Sequence, residues 1–163
     1  IPPVQSLKKR FEIYQQAKSE KEKRHVELGQ GISVVRDMFV ADSMEEAKEK
    51  AGEQMVNYMR WVCHWRGLGT HMNPGEELPK TDHKLDLLSY DFLHERNMLF
   101  GTVDYVINKI EEMQTELNLQ NLKVWSNFPG VKHEDCMKSI QMFTEKVIPH
   151  FKSKEKSTIK AAS

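Results

Sequence analysis

Two runs of strand character, set far apart among helical patterns, constrain this chain more than anything else in it. ISVVRDMFV, residues 32–40, is rich in β-branched and aromatic residues. Leu122–Ser126 is the second such run. Between them lie stretches whose apolar residues recur at helical spacing, so each strand leads into a helix. Alternating strands and helices imply βα units and a parallel sheet. Two parallel strands leave unpaired backbone groups on their outer edges. The pattern therefore predicts part of a larger sheet, and the start Ile1-Pro2-Pro3, without methionine, agrees with a piece of a longer protein.

The helices can be placed with some detail. Val4, Leu7, Phe11, Tyr14 and Ala17 share one face of a first helix, and Pro2 and Pro3 suit its start. Ser43-Met44-Glu45-Glu46 has the form of a capping box. Behind it Met44, Ala47, Ala51, Met55, Tyr58, Val62 and Trp65 predict one buried face of a helix about six turns long. Gly67, Gly69, Pro74, Gly75 and Pro79 punctuate the stretch after Arg66, which reads as an insertion near 66–89. Tyr90–Met98 reads as a short helix closed by Gly101, and Thr102 as the cap of the next. In that next helix Val103, Val106, Ile107, Ile110, Met113 and Leu117 form the buried stripe. The last helix begins near His133 with Met137, Ile140, Phe143 and Val147 facing in, and Pro149 kinks or stops it. Residues 1–151 are thus the folded part, and 152–163 a polar tail.

Composition excludes several classes. Lys+Arg and Asp+Glu both number 24, which argues against a general binder of phosphate backbones. The two cysteines, Cys63 and Cys136, match no paired spacing, so neither a disulfide framework nor a zinc ribbon follows, and a cytoplasmic location is the expectation. No apolar run has membrane-spanning length.

The last third resembles a known family. FGTVDYVINKIEEM followed by NLKVWSNFPGVKHEDCMKSIQMFTEKVIPHF resembles the C-terminal end of the bacterial luciferase-like flavin monooxygenases. The family shows a Gly-Ser/Thr-Pro-Glu helix start, a strand ending in an aromatic and Asn-Phe, a glycine turn, and a helix ending Val-Met/Ile-Pro-x-Phe. Here Gly101, Thr102, Trp125, Asn127, Phe128, Gly130, Val147, Ile148, Pro149 and Phe151 occur in that order. Val103 departs, standing where the family usually has proline. VVRDMFVADSMEEAKEKA resembles the strand-7 region and the helix after it.

The resemblance implies an α/β fold, the C-terminal portion of a (β/α)8 TIM barrel with about strands 7 and 8 present and strands 1 to 6 absent. It implies reduced flavin mononucleotide (FMN) and O2 acting on a small organic substrate, a flavin reductase as flavin supplier, and a homo- or heterodimer. No nucleic acid and no membrane enter this picture. The alternatives are a non-catalytic barrel relative and an α/β interaction module without flavin.

Barrel sites lie at the C-terminal ends of strands, here 40–42 and 125–130. Trp125 and Phe128 are candidate walls for flavin, and Asn127 a candidate hydrogen-bond donor to it. Each has a plainer role, core packing for the aromatics and turn chemistry for Asn127. No catalytic residue is assigned. Arg36, mid-strand, is read as a structural ion pair, with an anion contact as the alternative. His64 and His71 have no third ligand at convincing spacing, so no metal site is assigned. Cys63 beside His64 makes no activated pair, and the segment from Trp61 onward reads as packing, a lid or a subunit contact.

Overall fold

The computed structural model describes residues 2–78, 80 and 83–152. The predicted tail therefore lies outside the described residues, apart from Lys152. The elements run α1 (Val4–Glu22), β1 (Ser33–Val40), α2 (Met44–Ala47), α3 (Glu53–Arg66), α4 (Tyr90–Asn97), β2 (Met98–Gly101), α5 (Val103–Leu117), β3 (Asn121–Trp125) and α6 (His133–Met142). A π-helical segment, Lys48–Gly52, joins α2 to α3, and a second, Phe143–Val147, extends α6.

The sheet has three parallel strands in the order β2-β1-β3, not two. Asp37 to Val40 pair with Met98 to Gly101, and Ser33 to Asp37 pair with Asn121 to Trp125. The missed strand is β2. Its four residues are all buried, so they show no alternation, and they abut a helix directly. The expected pair of strands thus becomes three. Because β2 and β3 flank β1, right-handed crossovers in opposite directions carry their helices to opposite faces. The side chains obey this. Phe39, Ala41, Met98 and Phe100 pack with α2 and α3, while Val34, Met38, Val40 and Leu99 pack with α1, α5 and α6.

Local chemistry explains the helix boundaries. Ser43 caps α2 by accepting the Glu46 N–H, while the Glu46 carboxylate accepts the Asp42 N–H rather than that of the cap residue. Ser89 and Thr102 cap α4 and α5 in the same way, each accepting the N–H three residues on. Gly101 ends β2, not a helix. Its φ of +150° is a conformation that L side chains rarely adopt, and the Met44 sulfur lies where a Cβ would stand, so a larger residue there would be strained and would have to displace Met44.

Two predicted helix faces are corrected, and both corrections trace to π segments. Ala47, Ala51, Met55, Met59 and Cys63 are buried, a spacing of four that a wide π turn accommodates, so Trp65 turns outward instead of in. In α6 the buried residues are Cys136, Ser139 and Met142, and Met137 is exposed. Pro149 neither stops nor ends this helix. Residues 148–152 continue helically, and the π segment just before removes the clash proline would cause. Within the stretch 66–89, Leu68 and Leu88 belong to the core that contains Phe39 and Phe100, and His71 is buried too.

Candidate functional site

β1 carries opposite charges on neighbouring positions, and strand geometry sends them to opposite faces. Asp37 points to the same side as Val35 and Phe39. Phe39 is sealed into the core, where it meets Phe100 at 5.9 Å between ring centres. Val35 and Asp37 instead border an open cleft of about 620 Å³ between α3 and β3. Its walls are Tyr58, Trp61 and Trp65 from α3 and Trp125 from β3, with Arg66 at its edge. The chain has three tryptophans, and all three line this one cleft. Helical spacing of four puts Trp61 and Trp65 on one face, and the β1–β3 register sets Trp125 opposite Asp37.

Electrostatics single out Asp37. It is buried, and loss of hydration pushes its carboxyl up to about 6, with the Arg36 charge opposing the shift. A carboxyl with that affinity can hold or release a proton near neutrality.

The three residues selected from the sequence separate. Trp125 is in the cleft, 54% exposed, and its indole N–H donates to the Asn127 carbonyl at 2.7 Å. That bond fixes the ring's orientation. Asn127 is exposed and contributes its main chain to this contact. Phe128 is 1% exposed and belongs to the core, 5.6 Å from Phe100 and 6.3 Å from Tyr58. After it, the Val131 N–H returns to the Phe128 carbonyl, with Pro129 second and Gly130 at φ +94° third, as a type II turn requires. Trp61, Trp65 and Asp37 were not selected from the sequence. The two tryptophans were visible as an aromatic cluster, but the strand pairing that brings them to Trp125 was not.

The other expected site position, the C-terminal end of β1, is closed by ion pairs. Lys138 contacts Asp42 at 2.6 Å, and Lys50 joins Glu46 to Asp135 at 2.8 Å each. The Lys50 and Asp42 hydrogen bonds hold the Glu46 carboxyl down at about 2. Cys63 meets His71, not His64, at 3.8 Å. Burial raises the thiol and lowers the imidazole to about 4, so both stay neutral at physiological pH and the pair is no nucleophile.

The fold has counterparts among solved structures. It is similar to monooxygenase RslO1 from Streptomyces bottropensis, with 18% identity and a TM-score of 0.62 over 93% of this chain and 40% of that one. It is similar also to a type II Baeyer-Villiger monooxygenase in complex with FMN, the oxygenating constituent of 3,6-diketocamphane monooxygenase from the CAM plasmid of Pseudomonas putida. There the identity is 17% and the TM-score 0.64, over 91% of this chain and 41% of that one. No family model matches the chain, and no curated protein matches it.

What these likenesses show is the fold. The chain is an α/β unit with a parallel sheet that corresponds to part of TIM-barrel monooxygenase chains. It spans about two fifths of their length. Among the described residues no helix is long and apolar enough to cross a membrane.

Proposed function

We propose that this chain is part of an FMN-dependent monooxygenase that uses reduced FMN and O2 to oxygenate a small organic substrate. In this proposal the cleft between α3 and β3 is its share of the flavin pocket. The observation that supports it is the convergence of Trp61, Trp65 and Trp125 around a buried carboxyl, in a fold similar to one seen with FMN. The residues fit the group. Exposed flat aromatic faces suit a flat isoalloxazine ring, the volume lies in the range of small-ligand sites, and Arg66 offers a cation to a phosphate.

Reduced flavin, when bound, supplies the reducing equivalents that activate O2. The chain's own residues would do simpler things. Trp125, held by its bond to the Asn127 carbonyl, would stack on the ring and keep water from one face. Trp61 and Trp65 would form the facing wall. Asp37, its carboxyl raised to about 6, would exchange a proton at the cleft floor just below neutral pH. A separate flavin reductase would supply the reduced cofactor, and the rest of the pocket would come from chain beyond this stretch.

Tryptophan fluorescence tests the proposal, because every reporter lines the cleft. Titration with FMN should give saturable quenching in the micromolar range. Quenching that stays linear in flavin up to millimolar concentration would mean collision only, and would favour an interaction surface over a flavin site.

A further inference from the structure

Among the described residues Arg36 is the most deeply buried charge, 1% exposed on the face of β1 away from the cleft proposed for flavin. The expected ion pair is not found there. Among the described residues Arg36 has no carboxylate within salt-bridge distance, and its Nη2 has no hydrogen-bond partner. Its Nη1 makes only a long contact of 3.5 Å to the Val35 carbonyl. Burial lowers its affinity for a proton, to about 10, which still leaves it charged at neutral pH. A buried, unpaired guanidinium is costly unless something anionic meets it.

The space beside Arg36 is built to receive such a group. A cavity of about 320 Å³ lies between β1, β2, α4, α5 and the first residues of α1. Pro3, Val4 and Gln5 line it, so it sits at the N-terminus of a 19-residue helix. Among the described residues no side chain caps that end, and no acidic residue lies in its first turn. The first main-chain bond of α1 is donated by Leu7, which leaves the N–H groups of Val4, Gln5 and Ser6 without helical partners. Arg96 and Lys109 border the same cavity, and Arg96 Nε is a second buried donor without a partner. Arg96 is otherwise held by Glu76 at 2.9 Å and by the Phe92 carbonyl at 3.1 Å, and Lys109 by Glu112 at 2.9 Å, so among the described cations lining the cavity Arg36 is the one without a carboxylate partner.

We propose that this cavity is a binding site for a phosphate group, carried by inorganic phosphate or a small phosphomonoester, with Arg36 and the N-terminus of α1 as its principal donors. Donors arriving from a strand, a helix and a helix terminus, Arg36, Arg96 Nε and the first N–H groups of α1, suit a tetrahedral dianion better than a planar carboxylate. The site lies across β1 from the cleft proposed for flavin and is independent of it.

Isothermal titration of the full chain with inorganic phosphate, at constant ionic strength with chloride as the control, tests this. Saturable binding is expected. Arg36→Met should weaken it by about tenfold or more. Lys109→Gln, at a half-exposed position, should weaken it by a smaller factor. Removing an unpaired buried charge should not lower the melting temperature, so Arg36→Met remains folded. A parallel titration with glycerol phosphate distinguishes the sources. Tighter binding than phosphate assigns an organic monoester, and equal or weaker binding assigns the free ion. Absence of saturable phosphate binding by the wild type would overturn the proposal. So would undiminished binding by Arg36→Met, or a lowered melting temperature in that variant, which would mean that protein groups already satisfy the charge.

Discussion

β2 and β3 flank the same strand, yet one is buried throughout and the other is half in water. Met98 to Gly101 are covered on both faces, by α2, α3 and α4 on one side and by α5 on the other. Asn121 to Trp125 alternate between exposed and partly buried. The upper part of β1 shows how the open side is finished where β3 ends. Beyond the last β3 pair, at Asp37, the Val40 N–H donates to Ser139 of α6 at 2.7 Å, so a side chain takes the ladder's place. The lesson is a division of labour. The β2 side supplies the packed core, and the β3 side keeps Val35, Trp61, Trp65 and Trp125 in solvent. An apolar surface of that kind on a folded unit marks a place where something binds.

Substitutions can break the comparison. Truncating Phe100, which is fully buried on β2 against Phe39, Tyr90 and Phe128, should cost about 3–5 kcal/mol in chemical denaturation. Truncating the partly buried Leu122 on β3 should cost ~1–2 kcal/mol by the same measurement. Equal losses would mean that β3 is as much core as β2.

Asp37 gives a pH test of the cleft floor. Its carboxyl is raised from 3.8 to about 6, so the folded state binds the proton more tightly than the unfolded chain. Its contribution is therefore most favourable below about pH 4 and is lost as pH rises through about 6. A shift of roughly two units corresponds to about 3 kcal/mol at neutrality. Asp37→Asn should be more stable than the wild type at pH 7, with the advantage vanishing by pH 4, in urea melts at both pH values.

Smaller effects sharpen the picture. Ser43→Ala removes the cap that holds α2 against β2 and should cost about 1 kcal/mol of stability. Trp125→Ala, at an exposed position, should change stability by only about 0.5 kcal/mol, visible as a near-unchanged denaturation midpoint.

Much of the fold was legible in the sequence, and the failures have physical causes. The caps at Ser43 and Thr102 and the stripe of α5 read correctly because side-chain chemistry and 3.6-residue spacing are local properties. β2 was hidden because a strand buried on both faces has no period. The exposure of Trp65 and Met137 was hidden because π segments rotate a helix face without any sequence mark. Of the cleft's walls, Trp125 was visible as the aromatic that closes its strand. Asp37 was not singled out, although adjacent opposite charges in a strand must face opposite ways. Its union with Trp61 and Trp65 depends on the pairing of β1 with β3, residues far apart in the chain, and no local pattern reveals that.

In the function proposed above, flavin would lie on the open side of β1 and not on the closed aromatic core. The most direct test is an FMN titration of two variants followed by the remaining tryptophan fluorescence. Trp125→Ala should lose most of the saturable quenching, while Phe128→Leu, altered in the core, should keep it at the wild-type midpoint. Retained binding in Trp125→Ala together with lost binding in Phe128→Leu would contradict it.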